Sequence, residues 1–194
     1  MPGYFEARPE GGATIVLDEV EISILRSLSV QLLELIGPGE EPAQDADPLA
    51  ALMVEGPSEP PADPALARLF PDAYGGPGAP ADRATREAAA EFRRYTETDL
   101  RAGKRENLLA VVGSLDGLSA REDEDEVLRL DADLCRQWLG ALNDLRLAIG
   151  TRLEVSEEDD TLMRLPDSDP RKPMVHAYLW LGGLQETLVE SLTA

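Results

Sequence analysis

The side chains that most often do chemistry are scarce in this sequence. It holds one histidine, His176, and one cysteine, Cys135, against 38 acidic residues. Bases, nucleophiles and metal ligands are usually drawn from clusters of His, Cys, Asp and Glu. Here neither His176 nor Cys135 has a second His or Cys beside it in sequence. His176 therefore reads as a core or capping histidine rather than a ligand or base. Cys135 falls inside an amphipathic stretch and reads as a buried thiol, though it is also the one candidate redox group. The run Glu122-Asp123-Glu124-Asp125-Glu126 lacks the glycine and alternating ligands of a calcium loop and reads as a solvated loop. No serine-nucleophile elbow, zinc-protease helix or phosphate-cradling glycine motif occurs. These residues predict no cofactor, no metal and no enzymatic reaction. A carboxylate-based reaction at Asp144 or Glu97 is the residual enzymatic alternative.

Three polar groupings remain. Residues 80–110 hold seven basic and six acidic side chains. Within them Arg86, Arg93, Glu97, Arg101 and Lys104 follow helical spacing, with Arg94 and Arg105 adjacent. Such a stripe can be a docking face for phosphate or an acidic partner, with Arg86, Arg93, Arg94, Arg101 and Lys104 as contacts. It can equally be a face laced by i,i+4 pairs such as Glu97–Arg101. In the second grouping, Asn143, Asp144, Arg146 and Arg152 crowd the apolar row Trp138, Leu142, Leu145 and Ile149. Asn and Asp are disfavoured inside helices. Their presence predicts a hydrogen-bonded network, reaching Arg93, Arg94 or Arg101 and including Glu97. The third is Gly182-Gly183, costly in the middle of a helix, which predicts a kink or the close approach of another backbone.

The elements that must position these groups follow from periodicity. Residues 4–8 and 13–17 read as strands joined at Pro9-Glu10-Gly11-Gly12. Asp18 caps a helix with Val20, Ile24, Leu28, Leu32 and Leu35 as its apolar row, stopped by Gly37-Pro38. Residues 38–80 are acidic and rich in Pro and Gly, and read as a flexible insert with short turns at Leu49–Val54 and Leu66–Phe70. A helix from about 80 to 100 ends or kinks at Gly103, and a second spans Glu106 to Leu115. Residues 126–130 read as a strand, Asp131 as a cap, and 132–149 as a helix stopped by Gly150. Leu162–Leu165 is a candidate strand, and Met174–Leu192 is the last helix. The unit Leu17-Asp18-helix-Gly37 echoes Leu130-Asp131-helix-Gly150, so the strands preceding the two helices are expected to share a sheet. The expected fold is mainly α: a bundle of about five substantial helices with a small antiparallel sheet, residues 1–194 forming one domain. Trp138, Leu142, Leu145, Ile149, Leu179 and Leu184 are the expected core. The wide apolar arc of the last helix fits either a homodimer or an intramolecular bundle.

Net charge is −20. Nucleic-acid binding depends on neutralising phosphates with Lys and Arg, so DNA is disfavoured without a local basic patch, and so is an anionic membrane. A basic protein partner suits the charge better. No apolar run is long enough to span a bilayer, and Met1–Glu6 lacks the features of a secretory signal. A lone cysteine permits no internal disulfide, as expected of a cytoplasmic protein.

Three strings in order are informative as text. They are Phe92-Arg93-Arg94-Tyr95-Thr96-Glu97, then Trp138 to Leu147 with Gly150-Thr151-Arg152-Leu153, then Leu181 to Val189. Together they resemble an actinobacterial family of unknown function that includes oxidative-stress regulators. The resemblance covers the chain outside residues 38–80. It implies a regulator of stress response or cysteine metabolism acting in transcription, with a sigma factor or RNA polymerase as partner. Family genes tend to lie beside a Clp protease adaptor and cysteine-synthesis genes, which keeps a proteolytic adaptor in view. Direct DNA binding through the arginine stripe is the other alternative. The redox device proposed for some members, two cysteines three residues apart near the N-terminus, has no counterpart before Cys135.

Overall fold

Two aspartates start two of the long helices. In the structure, a computed structural model that describes residues 3–38, 56–75, 82–119, 127–156, 162 and 164–193, each follows a strand. The described elements are β1 (Glu6–Ala7), β2 (Ala13–Val16), α1 (Glu19–Ile36), α2 (Pro64–Leu69), α3 (Arg83–Ser119), β3 (Val127–Leu130), α4 (Ala132–Arg152) and α5 (Lys172–Thr193). Asp18 accepts from the Glu21 amide at 2.8 Å, and the Glu21 carboxylate accepts from the Asp18 amide at 3.0 Å, closing a capping box. Asp131 accepts from the Leu134 amide at 2.9 Å. Satisfied first-turn amides and early acids suit both helix N-termini.

The strands form one antiparallel sheet in the order β1-β2-β3. Ala13 pairs with Leu130 and Val16 with Val127, so the two echoing strand–helix units do meet through their strands. Gly11 and Gly12 have φ of +92° and +85°, and the Gly12 Cα lies against the Leu130 carbonyl, leaving no room for a side chain. The N-terminus is tied at both ends of its short course. The Gly3 amide donates to Glu21 at 3.1 Å, and the Phe5 amide donates to Thr187 Oγ1 at 3.2 Å.

α4 is central: α5, α3 and α2 all pack on it, while α1 packs chiefly on α3. The core gathers Trp138, Leu142, Leu145 and Ile149 from α4 with Leu108 and Leu115 from α3 and Leu181, Leu184 and Leu188 from α5. The Phe5 ring meets the Trp138 ring edge-on at 5.9 Å between centroids.

Several expectations are revised. The helices expected on either side of Gly103 are one 37-residue helix, because the hydrogen-bonded ladder runs through that glycine. Gly150 likewise lies inside α4, which ends at Arg152. Leu162 and Arg164 adopt 3₁₀ rather than strand geometry. Part of the stretch expected to be a flexible insert is built in, since Ala65, Leu69 and Phe70 are buried in the core. The turn expected at Leu49–Val54 lies outside the described residues. In α1 the buried row is Ile22, Leu25, Ser29, Leu32 and Ile36, so Val20 and Ile24 face outward. Leu179 and His176 of α5 are exposed, not core, because the buried stripe runs through Val175, Leu181, Leu184 and Leu188.

Candidate functional site

The stripe expected to face a partner turns mostly inward. Arg93 is only 4% exposed and Glu97 2%. Arg93 donates to the Phe70 carbonyl and to Asp72, both at 2.9 Å, and pairs with Glu97 one turn on. Burial works against the Arg93 charge, and its hydrogen bonds to Asp72 and Glu97 more than offset it, holding the guanidinium above its ordinary range. The other Glu97 oxygen accepts from Arg101 Nε at 2.9 Å and Nη2 at 2.7 Å.

Arg101 also serves α1. It donates to the Ile36 carbonyl at 2.7 Å, and Arg105 donates to the Leu33 and Gly37 carbonyls. α1 has no basic residue in its own last turn. The guanidinium groups of α3 satisfy its final carbonyls and answer the negative end of its dipole. Arg101 lies over the Phe70 ring at 4.5 Å, with Lys104 at 5.9 Å. Lys104 reaches across to Asp144 of α4 at 2.7 Å. One cluster around Phe70 thus pins α1, α2, α3 and α4 together.

Of the five residues expected to contact a partner, Arg93, Arg101 and Lys104 are committed inside this cluster. Arg94 is half-buried, with its guanidinium 5.6 Å from the Tyr95 ring, and Arg86 is exposed. The same spacing that lines up these charges also lines Arg93, Arg101 and Lys104 up against α1, the Phe70 turn and α4. Asp144 pairs with Lys104 rather than with Arg93, Arg94 or Arg101. Asp144 is 2% exposed, and burial pushes its carboxyl above the ordinary carboxylate range against the pull of Lys104 and Asn143. Arg146 and Arg152 act elsewhere. Arg146 donates to Gln185 at 2.7 Å beside Tyr178, and Arg152 donates at 2.6 Å to Asp63, the N-cap of α2. A Cβ at Gly182 would meet the Arg146 guanidinium and one at Gly183 open space, and α5 runs unbroken through both glycines. Cys135 is fully buried, and burial raises its thiol pKa, so the thiolate needed for redox chemistry is disfavoured.

A second feature was missed at the level of sequence. Ile24 and Leu28 of α1 face Met174, Ala177 and Trp180 of α5 across an apolar groove of about 660 Å³. Ile24 is 40% exposed and Met174 44%. The signal was present as the row Val20, Ile24, Leu28, whose spacing marks a helix but does not say what the row faces. Phe70 and Asp72, missed from the cluster, sit in a turn with no periodicity to reveal them.

Residues 2–192 match the profile of a domain of unknown function, DUF2017. The chain belongs to the DUF2017 family. The oxidative stress regulator AosR of Mycobacterium tuberculosis is 29% identical over 176 residues, spanning 87% of this chain and 77% of that protein. AosR of Mycobacterium bovis matches to the same extent. The Mycobacterium leprae protein, whose name carries the same words in provisional form, is 29% identical over 185 residues, 90% of this chain and 79% of that protein. No solved structure gives a significant match. Among the described residues, no helix is long and apolar enough to cross a membrane.

Proposed function

We propose that this DUF2017 protein is a non-enzymatic cytoplasmic regulator of the oxidative-stress response or of cysteine metabolism. It acts on transcription by contacting another protein, with a sigma factor or RNA polymerase as the partner class. The observation that carries the reading is the likeness to oxidative stress regulators across most of the chain. Two physical features support protein contact as the mode. The net charge of −20 repels nucleic acid and attracts basic surfaces. The cations that direct DNA binding would need are engaged within the fold, Arg93 and Arg101 with Glu97, and Lys104 with Asp144. The test is affinity co-purification of the tagged chain from its own cells, with and without peroxide. Recovery of a sigma factor or polymerase subunit bears the reading out. Recovery of Clp components alone replaces it with a proteolytic adaptor, and salt-sensitive retention of DNA with no protein replaces it with direct DNA binding.

A further inference from the structure

We infer that the groove between α1 and α5 is the docking site for an amphipathic helix of a partner protein, one with an apolar stripe flanked by Lys and Arg. This rests on the reading of the protein as one that acts by protein contact. The groove exists because each helix carries two apolar rows. α1 buries Ile22, Leu25 and Leu32 and leaves Ile24 and Leu28 beside them, while α5 buries Val175, Leu181 and Leu184 and leaves Met174, Ala177 and Trp180. The packing of α1 chiefly on α3, and of α5 on α4, leaves a trough between two helix faces. A trough of this kind accepts apolar side chains at i, i+3, i+4 and i+7 of a third helix.

The walls suit a helix better than a small molecule. Small-ligand sites fix orientation with a few convergent polar groups. Two ionisable side chains line the groove: the carboxylate of Glu21 at the rim is already taken by the Gly3 and Asp18 amides, and His176 is solvent-exposed. Trp180 contributes an indole Nε1–H that is shielded from water and has no acceptor in the described chain.

Charge decides the flanks. Among the described residues no Lys or Arg lines the groove, and its one basic side chain is His176. The cations on its two helices and at the start of α5 are spoken for: Arg26 pairs with Asp116 at 2.6 Å, Lys172 with Asp167 at 2.5 Å, and Arg171 with Asp169 at 3.1 Å. Asp18, Glu19 and Glu21 gather at the start of α1, within a chain of net charge −20. A basic flank is attracted to that end, whereas a second copy of this chain brings another −20 and is repelled.

The experiment places a photo-cross-linking residue at Ile24 or at Met174 in the full chain, in its native cells, and maps the captured peptide by mass spectrometry. Both positions are expected to capture the same partner segment, with an apolar stripe at helical spacing and Lys/Arg flanks. Capture at Ile24 is expected to fall at least tenfold in Met174→Glu, and capture at Met174 to fall likewise in Ile24→Glu. Melting curves of both exposed-site variants check that the fold is kept. Cross-links to a second copy, to residues 39–55 of the same chain, or to an acidic or extended segment overturn the inference. If probes at Ile24 and Met174 stay silent while one at exposed Tyr95 captures a protein, the groove is wrong and the protein-contact reading stands. If neither face captures any protein, both fall.

Discussion

At Glu97 a single carboxylate holds two arginines, one of them Arg93, almost without solvent. Removing one partner of a buried pair leaves the other charge stranded, so Glu97→Ala is expected to cost about 3–5 kcal/mol in urea unfolding. The exposed Arg83–Glu87 pair on the same helix is the control, and Arg83→Ala is expected to leave the unfolding midpoint unmoved. Asp144 makes a pH prediction. Its folded pKa lies above its unfolded one, so the folded state holds the extra proton between the two values. The stability it contributes is complete below the ordinary carboxylate range and is lost as pH rises through the folded pKa. Carboxyl NMR is expected to show Asp144 titrating later than a free aspartate as pH rises, and Asp144→Asn to flatten that part of the stability profile. Asp63 and Asp116, whose pKa values are lowered by Arg152 and Arg26, act with the opposite sign, losing their contribution as pH falls. Cys135 is expected to resist alkylation at neutral pH in the native protein and to react fully once the protein is unfolded. Rapid native alkylation would restore it as a redox candidate.

At the scale of elements, α3 shows why its continuity was misread. Gly103 is a poor helix former, and nothing lies within 4 Å of the position its Cβ would take. Propensity alone argues for a break, but Leu108, Val111 and Leu115 on one side and Arg93, Glu97 and Arg101 on the other are all fixed by neighbours. Packing overrides the local cost. Gly103→Ala is therefore expected to raise stability by about 0.5–1 kcal/mol, measured by chemical denaturation. The strand–cap–helix units were legible because Asp18 and Asp131 announce their helices through local chemistry, and the core row of α4 was legible because Trp138, Leu142, Leu145 and Ile149 keep strict spacing. Neighbour identity was not legible. Periodicity says that Arg93, Glu97 and Arg101 share a face, but not that α1 ends against it. The same gap left the surroundings of Val20, Ile24 and Leu28 open, since two adjacent apolar rows on one helix look alike until a neighbour chooses between them.

Across the whole molecule, the charge of −20 opposes compaction. Salt screens that repulsion, the Debye length falling from about 30 Å at roughly 0.01 M to about 8 Å at roughly 0.15 M. The melting temperature is expected to rise over that range, and a fall would mean that the internal ion pairs outweigh the surface field. The tie between Phe5 and Thr187 has a different reach. It joins residues 182 apart, so its loop is nearly the full length of the chain. Closing so long a loop is entropically dear, and such contacts tend to form after the folding barrier has been crossed. Thr187→Val is thus expected to quicken unfolding while leaving the refolding rate nearly unchanged. The first strand would then be the last to be latched and the first to come loose, making the lifetime of the native state a property of its two termini.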